Sequence, residues 1–328
     1  MNITLRKFTA KDTTDWDEFV ERSNNGTMFH TRKFLGYHPI GRFKDHSLIF
    51  WKKRKIISVL PAALVKTDGM TSLVSHPGSS LGSCVVPENL AFADSLELTE
   101  KLVDYAFSQE VGRIQLTLPP VIYNKRVSQY MDFALKKAGF IYLKRELSSI
   151  LFLENTIEEN LEKFKSTNRT AIRKADKSKM VIKQSDDFKS FYSILENNLS
   201  IRHNVKPTHT LNELLKLKEI YPKRINLIGA FVENEMVAGV INFIVNSQVV
   251  LAFYISHKEE YQELRPINLL FYKIFDWAIK ARLKVFDFGI FTVDENPNMG
   301  LARFKENFGA SGVFRDTMEL KLPLNNVH

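Results

Sequence analysis

The chain has 328 residues, 44% hydrophobic and 25% charged, enough apolar material for two ordinary folded domains; this excludes a disordered or low-complexity protein. Its single cysteine, Cys84, excludes an intramolecular disulfide or a cysteine-based metal site and suits a reducing compartment. The net charge of +9 favours an acidic partner: phosphate groups, a nucleotide-linked sugar, RNA or an anionic membrane face.

The first half opens with a predicted strand, Ile3 to Phe8, and a helix from about Asp12 to Arg22 whose Trp16, Phe19 and Val20 share a face. Phe29 to Tyr37 reads as a short aromatic-rich helical turn carrying His30, Arg32 and Lys33. Two strands follow, Leu48 to Lys52 and Ile56 to Leu64, joined at Lys53-Arg54-Lys55. Ser75 to Ser83 is a small-residue loop expected to be flexible, and its Gly78 and Gly82 bracket a place for a sugar or peptide, or a plain surface loop. A helix (about Asp94 to Gln109), a strand (Ile114 to Leu118), a helix (about Arg126 to Ala138) and a strand through Phe152 complete this half.

The second half starts at Thr156-Ile157-Glu158-Glu159, a capping box predicting one helix to about Lys177. Between Leu161 and Lys183 stand eight basic residues against two acidic ones. Lys165, Arg169, Arg173 and Lys177 recur every four residues, so they stack on one helix face and repel one another unless an anion binds there. The alternative is a solvated basic face. Helices at about Asp186 to Leu199 and Leu211 to Ile220 precede strands Asn226 to Val232, Val237 to Val245 and Gln248 to Ile255, the last carrying Tyr254. A helix from Pro266 to Ala281, with proline at a good first-turn position, leads to strand Val285 to Ile290. After the polar loop Asp294 to Gly300, a short helix carries Arg303, Phe304, Lys305 and Phe308 into Gly309, and a final strand, Gly312 to Leu322, is expected to close the second half.

Strand ends that open into polar loops are where α/β proteins place chemistry, and a lysine and an arginine beside an aromatic pair could hold an anionic substrate. Phe304 and Phe308, four apart, equally suit a core stripe with Arg303 and Lys305 solvated. Asp287 and Tyr254 are candidate polar contacts to an amine, Asp287 being equally readable as a strand-end cap. The two halves also echo each other: the hairpin Leu48 to Leu60 lies over Ile228 to Val240 at an offset of 180, and Asp104-Tyr105-Ala106 over Asp276-Trp277-Ala278 at 172. The repeated order of strand, hairpin, long helix and strand predicts an α/β (α+β) chain with mixed sheets flanked by helices.

That unit resembles the acyl-CoA N-acyltransferase (GNAT) fold, and its tandem arrangement resembles the FemABX-like family and its BioF2-like acetyltransferase relatives. The residues that carry the resemblance are the basic helix Asn168 to Ala175, Asp287-Phe288-Gly289 and Arg303-Phe304-Lys305-Glu306-Asn307-Phe308-Gly309. It implies two tandem GNAT-like domains, 1–153 and 154–328, each with a mixed, mostly antiparallel sheet. It also implies transfer of an acyl or aminoacyl group to an amine, the best-known members building peptidoglycan cross-bridges from aminoacyl-tRNA. Lys305 would then sit in the transferase site, stabilising an oxyanion or fixing a phosphate, with Phe304 beside it. Arg32 or Lys33 matches a basic residue that grips the acceptor's nucleotide diphosphate.

Two departures bear on the donor. Where an acetyl-CoA enzyme presents a glycine loop to the pyrophosphate, this chain reads Gln262-Glu263-Leu264-Arg265-Pro266, with no glycine and with a proline that removes an amide. A long heptad-patterned helical arm is also missing. The donor is left as aminoacyl-tRNA or acyl-CoA with no tightly bound cofactor, and the acceptor as a nucleotide-linked or lipid-linked precursor. Three functions follow: amine acylation or aminoacylation of a cell-envelope precursor; acyl-CoA-dependent N-acetylation of a surface-polysaccharide amino sugar; or RNA binding without catalysis through Arg169 and Arg173. No basic-then-apolar leader and no apolar run near the roughly 20 residues that span a bilayer is present, so a cytoplasmic protein with at most peripheral contact to an anionic membrane is expected.

Overall fold

The computed structural model describes residues 2–67, 69–203 and 205–323. The chain divides into two compact units, Met1–Glu146 with Phe314–His328, and Leu147–Val313. The first contains β1 (Thr4–Lys7), α1 (Thr13–Arg22), α2 (Arg32–Leu35), β2 (Lys44–Asp45), β3 (Leu48–Lys52), β4 (Lys55–Leu60), β5 (Ala63–Thr67), β6 (Met70–Ser75), α3 (Phe92–Ser108), β7 (Arg113–Thr117), α4 (Tyr130–Lys137) and the start of β8 (Ile141–Phe152). The second continues β8 through α5 (Ile157–Lys163), α6 (Ser166–Asp176), β9 (Val181–Ser185), α7 (Phe188–His203), α8 (Leu211–Ile220), β10 (Ile225–Val232), β11 (Glu235–Ile244), β12 (Val249–His257), α9 (Pro266–Lys280) and β13 (Val285–Ile290). A small hairpin, β14 (Thr292–Val293) with β15 (Asn296–Pro297), then α10 (Met299–Glu306) lead into β16 (Ser311–Lys321).

In the first unit β1, β3 and β4 form one antiparallel sheet, and a second runs β2-β5-β6-β7-β16 with β6 and β7 parallel. The parallel pair is joined through α3, whose Leu98, Leu102 and Ala106 pack over Leu73, Ile114 and Leu116. In the second unit the order is β8-β13-β12-β11-β10-β9, with β12 and β13 parallel and joined through α9. Leu270, Phe271, Ile274, Phe275 and Ala278 give α9 a wholly apolar face against Val240, Val250 and Phe286. Both units are therefore mixed, mostly antiparallel sheets flanked by helices.

The offset of 180 residues reappears in backbone geometry. Lys53 and Arg54 turn the β3–β4 hairpin with φ of 49° and 64°, and Glu233 and Asn234 turn β10–β11 with 48° and 69°. Both hairpins shift register just before the turn, between Phe50 and Trp51 and between Ala230 and Phe231. Turn and bulge together fix which face each strand presents, so they mark equivalent positions.

Several expectations change. The strand predicted from Ile56 to Leu64 is two strands, because Pro61 cannot donate to a ladder. The helix predicted from Thr156 to Lys177 keeps its capping box, with Thr156 Oγ1 accepting from the Glu159 amide, but breaks at Phe164, whose backbone is extended (φ −77°, ψ 141°). Burying the Phe164 ring 5.4 Å from Phe308 and 5.8 Å from Phe275 outweighs one more helical turn. The final strand does not close the second half: from Phe314 on it belongs to the first unit, where Thr317–Lys321 pair with β7, while β8 pairs with β13 in the second. The units thus change inside β8 and β16 rather than at residue 153. The loop from Ser75 to Ser83 is tightly held, with His30 Nε2 donating to the Gly82 carbonyl and Ser75 Oγ accepting from the Ser83 amide.

Candidate active site

β12 and β13 pair only from Val249↔Val285 to Leu251↔Asp287 and then separate. Past that point β13 also shifts register against β8, with Gly289 at φ 77°. A strand leaving its neighbours frees amides and carbonyls that need partners. The Asp287 carboxylate accepts from the Gly289 amide and the Ser148 hydroxyl, both at 2.6 Å. Lys305 Nζ donates to the carbonyls of Gly289 at 2.6 Å and Ile290 at 2.9 Å. Both side chains are buried, Asp287 0% and Lys305 1% exposed. Burial pushes the Lys305 ammonium down to about 8, against the opposing pull of Asp287.

The turn chemistry of α10 delivers that lysine. Asn298 caps the helix, its side chain accepting from the Leu301 amide at 2.9 Å, and Gly309 at φ 81° ends the segment. Residues two apart on a helix cannot share a face, so Lys305 turns inward while Arg303 is exposed. Phe304 is half-buried, 5.8 Å from Phe271 and 5.3 Å from Phe308. The core-stripe reading holds for Phe308 and, in part, for Phe304, and Arg303 is exposed, but Lys305 is buried rather than solvated.

Where β12 and β13 part, a cleft of about 600 Å³ opens between the end of β12, the start of α9 and the start of α10. Ile255, His257, Asn268, Asn298, Leu301 and Phe304 are among its walls. Phe304 is the one predicted site residue on it; Lys305 and Asp287 hold the splayed backbone that shapes it. His257, Asn268 and Asn298 were missed by sequence reasoning, although Pro266 and the polar loop Asp294 to Gly300 marked the two helix starts that frame the cleft. Tyr254 is elsewhere engaged, its hydroxyl 3.0 Å from His209 Nδ1, and burial pushes its phenol up.

Asn168, 3% exposed, ties α6 to this region: its Oδ1 accepts from Asn268 Nδ2 at 2.5 Å and its Nδ2 donates to the Asn307 carbonyl at 3.1 Å. Arg173 is exposed on α6, whereas Arg169 is half-buried and donates to the Phe164 carbonyl. In the first unit, Arg32 binds Asp45 at 2.5 Å and Ser47 Oγ at 2.9 Å, with its guanidinium 4.0 Å from the Phe8 ring. Lys33 is exposed, and the Gly78 carbonyl accepts from His38 Nε2 at 2.7 Å. A Cβ at Gly78 would meet that ring at 2.3 Å, so this glycine serves close packing.

Residues 162–306 match a family described as an acetyltransferase (GNAT) domain. The chain carries a GNAT acetyltransferase domain. By that domain it is an acyltransferase. FemX superposes with a TM-score of 0.75 at 14% identity over 97% of each chain. A tandem GNAT protein from the clavulanic acid biosynthesis pathway gives 0.55 at 9% identity over 98% of each. The C-terminal domain of a protein assigned as a lysylphosphatidylglycerol synthetase from Agrobacterium fabrum gives 0.60 at 11% identity, over 94% of this chain and 91% of that one. At such identities these likenesses concern the fold, which is the FemABX-like tandem GNAT fold. A comparison with curated proteins finds no sequence match.

Proposed function

We propose that this acyltransferase passes an aminoacyl group from aminoacyl-tRNA to an amine of a cell-envelope precursor. The observation that carries the donor is the rim of the cleft. Where a CoA pyrophosphate would need free amides, a short 3-10 helix, Glu259–Leu264, brings Glu259, Glu260 and Glu263 before Pro266, which has no amide. Beside it stands the basic α6, whose Lys174 lies 3.9 Å from Glu263. Acid at the helix start and base alongside suit a long polyanion lying on α6 better than a pyrophosphate at α9. The likeness to FemX and to a protein named for a lipid product supports an envelope acceptor, nucleotide-linked or lipid-linked.

In this reading a neutral amine attacks the ester carbonyl in the cleft, the tetrahedral oxyanion collapses and the tRNA hydroxyl leaves with a proton. Lys305 holds the splayed carbonyls in register and, charged below about pH 8, contributes positive potential behind the reacting carbonyl. Asp287 fixes the same turn. Arg173 and Arg169 contact the donor, while Phe304 walls the reacting group; Lys33, exposed beside the internally paired Arg32, is the candidate phosphate contact for the acceptor. A second reading, acyl-CoA-dependent N-acetylation of a surface-polysaccharide amino sugar, is favoured by the acetyltransferase description of residues 162–306.

Thermal unfolding with charged tRNA, acetyl-CoA and bare CoA tests the donor. A ligand at about 100 times its dissociation constant adds roughly 2.7 kcal/mol, a shift of several degrees. Stabilisation by charged tRNA and not by CoA supports the proposal; stabilisation by acetyl-CoA alone establishes the second reading instead.

A further inference from the structure

In the first unit a group of apolar side chains stands in solvent on and beside α4. Val127 is 75% exposed, Phe133 55% and Tyr130 46%, and Phe92 at the start of α3 places its ring 5.4 Å from Tyr130 and 5.5 Å from Phe133. The presentation is fixed. Asn24, 3% exposed, clamps Arg126 from both sides, its Nδ2 donating to the Arg126 carbonyl and its Oδ1 accepting from the Arg126 amide, each at 2.8 Å. Val127 is thereby held outward beside the helix.

Exposed cations predominate on and beside α4. Lys125, Arg126, Lys136 and Lys137 are all exposed, whereas Asp132, the one acid on α4, is half-buried. On α3, Asp94 is paired with Lys52, and Glu97 accepts from the Ile3 amide; Glu88 is the exposed acid ahead of Phe92. Aromatic rings at the centre with long cations at the edge are the pattern of a surface that lies in a membrane interface: rings settle at headgroup depth and lysines reach the phosphates. A second copy of the chain is disfavoured, since it would bring two such sets of cations together.

We propose that this face of α4 docks the protein onto an anionic lipid surface. The purpose rests on the proposed envelope acceptor, which a docked enzyme would meet at the membrane; the docking itself does not. Among the described residues no helix is long and apolar enough to cross a membrane, so the contact is peripheral.

Co-sedimentation with vesicles of phosphatidylcholine, with and without phosphatidylglycerol, is the test. Binding to the anionic vesicles alone is expected, weakening as salt rises. Each cation near such a surface multiplies partitioning about 5-fold, so Lys136→Gln with Lys137→Gln lowers it about 25-fold. Tyr130→Ser with Phe133→Ser lowers it about 10-fold or more by removing the interfacial rings. Absence of binding to anionic vesicles, or binding that neither pair alters, overturns the proposal; a change of oligomeric mass in the serine pair without vesicle binding reassigns the face to self-association. Both pairs leave acylation of a water-soluble acceptor unchanged, which separates failure of docking from failure of the proposed activity.

Discussion

Lys305 gives the second unit a cation where a core would ordinarily have a hydrocarbon. Its two carbonyl partners exist because β13 parts from β12, so the lysine and the cleft are consequences of one backbone event. Lys305→Met leaves both carbonyls buried without a donor and is expected to cost about 2–3 kcal/mol in denaturant unfolding. Its pKa of about 8 lies below the unfolded value of 10.5, so the folded chain holds fewer protons between those limits. Stability from this group therefore rises with pH across that window, by at most about 1.4 kcal/mol per unit, and is constant below it. A difference between wild type and Lys305→Met that stays flat from pH 8 to 10 would contradict this. His30 and His76 act at the other end of the scale: burial pushes each imidazole down to about 4. The unfolded chain then takes up protons first as pH falls below 6.5, and stability drops until about pH 4. His30→Gln should flatten part of that loss in acid unfolding curves. The sequence marked Lys305 and Asp287 each as a candidate; their burial was hidden, because it depends on where the strand separates.

Among the elements, α10 forms one wall of the cleft, and the glycine stop that follows it packs against the end of α5. Gly309 passes against Lys163 at the end of α5, where an added Cβ would meet Lys163 Cβ at 2.7 Å and its carbonyl oxygen at 2.9 Å, with φ at 81°. Gly309→Ala is therefore expected to destabilise by more than about 2 kcal/mol, read as a lowered unfolding midpoint; a loss below about 0.5 kcal/mol would show that the contact relaxes freely. The capping box at Thr156, the proline start of α9 and the glycine stop at Gly309 were legible because they are local in sequence. The break at Phe164 was not, since the segment from Thr156 to Lys177 is helix-compatible and the deciding contacts are with Phe275 and Phe308. β9 and β6 escaped for a related reason: short strands at Val181–Ser185 and Met70–Ser75 are specified by their ladder partners.

Over the whole molecule, the repeated hairpin and crossover explain why a chain of this length folds as two similar units, and the offsets of 180 and 172 residues showed it in advance. The exchange of last strands was invisible, because β8 and β16 carry no mark of which strand they will pair with. Charge is unevenly distributed along the chain, with eight basic residues against two acidic ones between Leu161 and Lys183, the stretch that includes α6. Arg169→Ala with Arg173→Ala should weaken tRNA binding and shallow its dependence on log salt by up to about two units, measured by filter binding; an unchanged slope would place the donor elsewhere. The most direct test of the account is transfer itself. Label on the aminoacyl group of charged tRNA and, in parallel, on the acetyl group of acetyl-CoA should be followed into an amine-bearing envelope precursor. A labelled amide is expected from charged tRNA, greatly reduced in folded Lys305→Met, with none from acetyl-CoA; label arriving from acetyl-CoA alone, or from neither donor, would contradict transfer from tRNA.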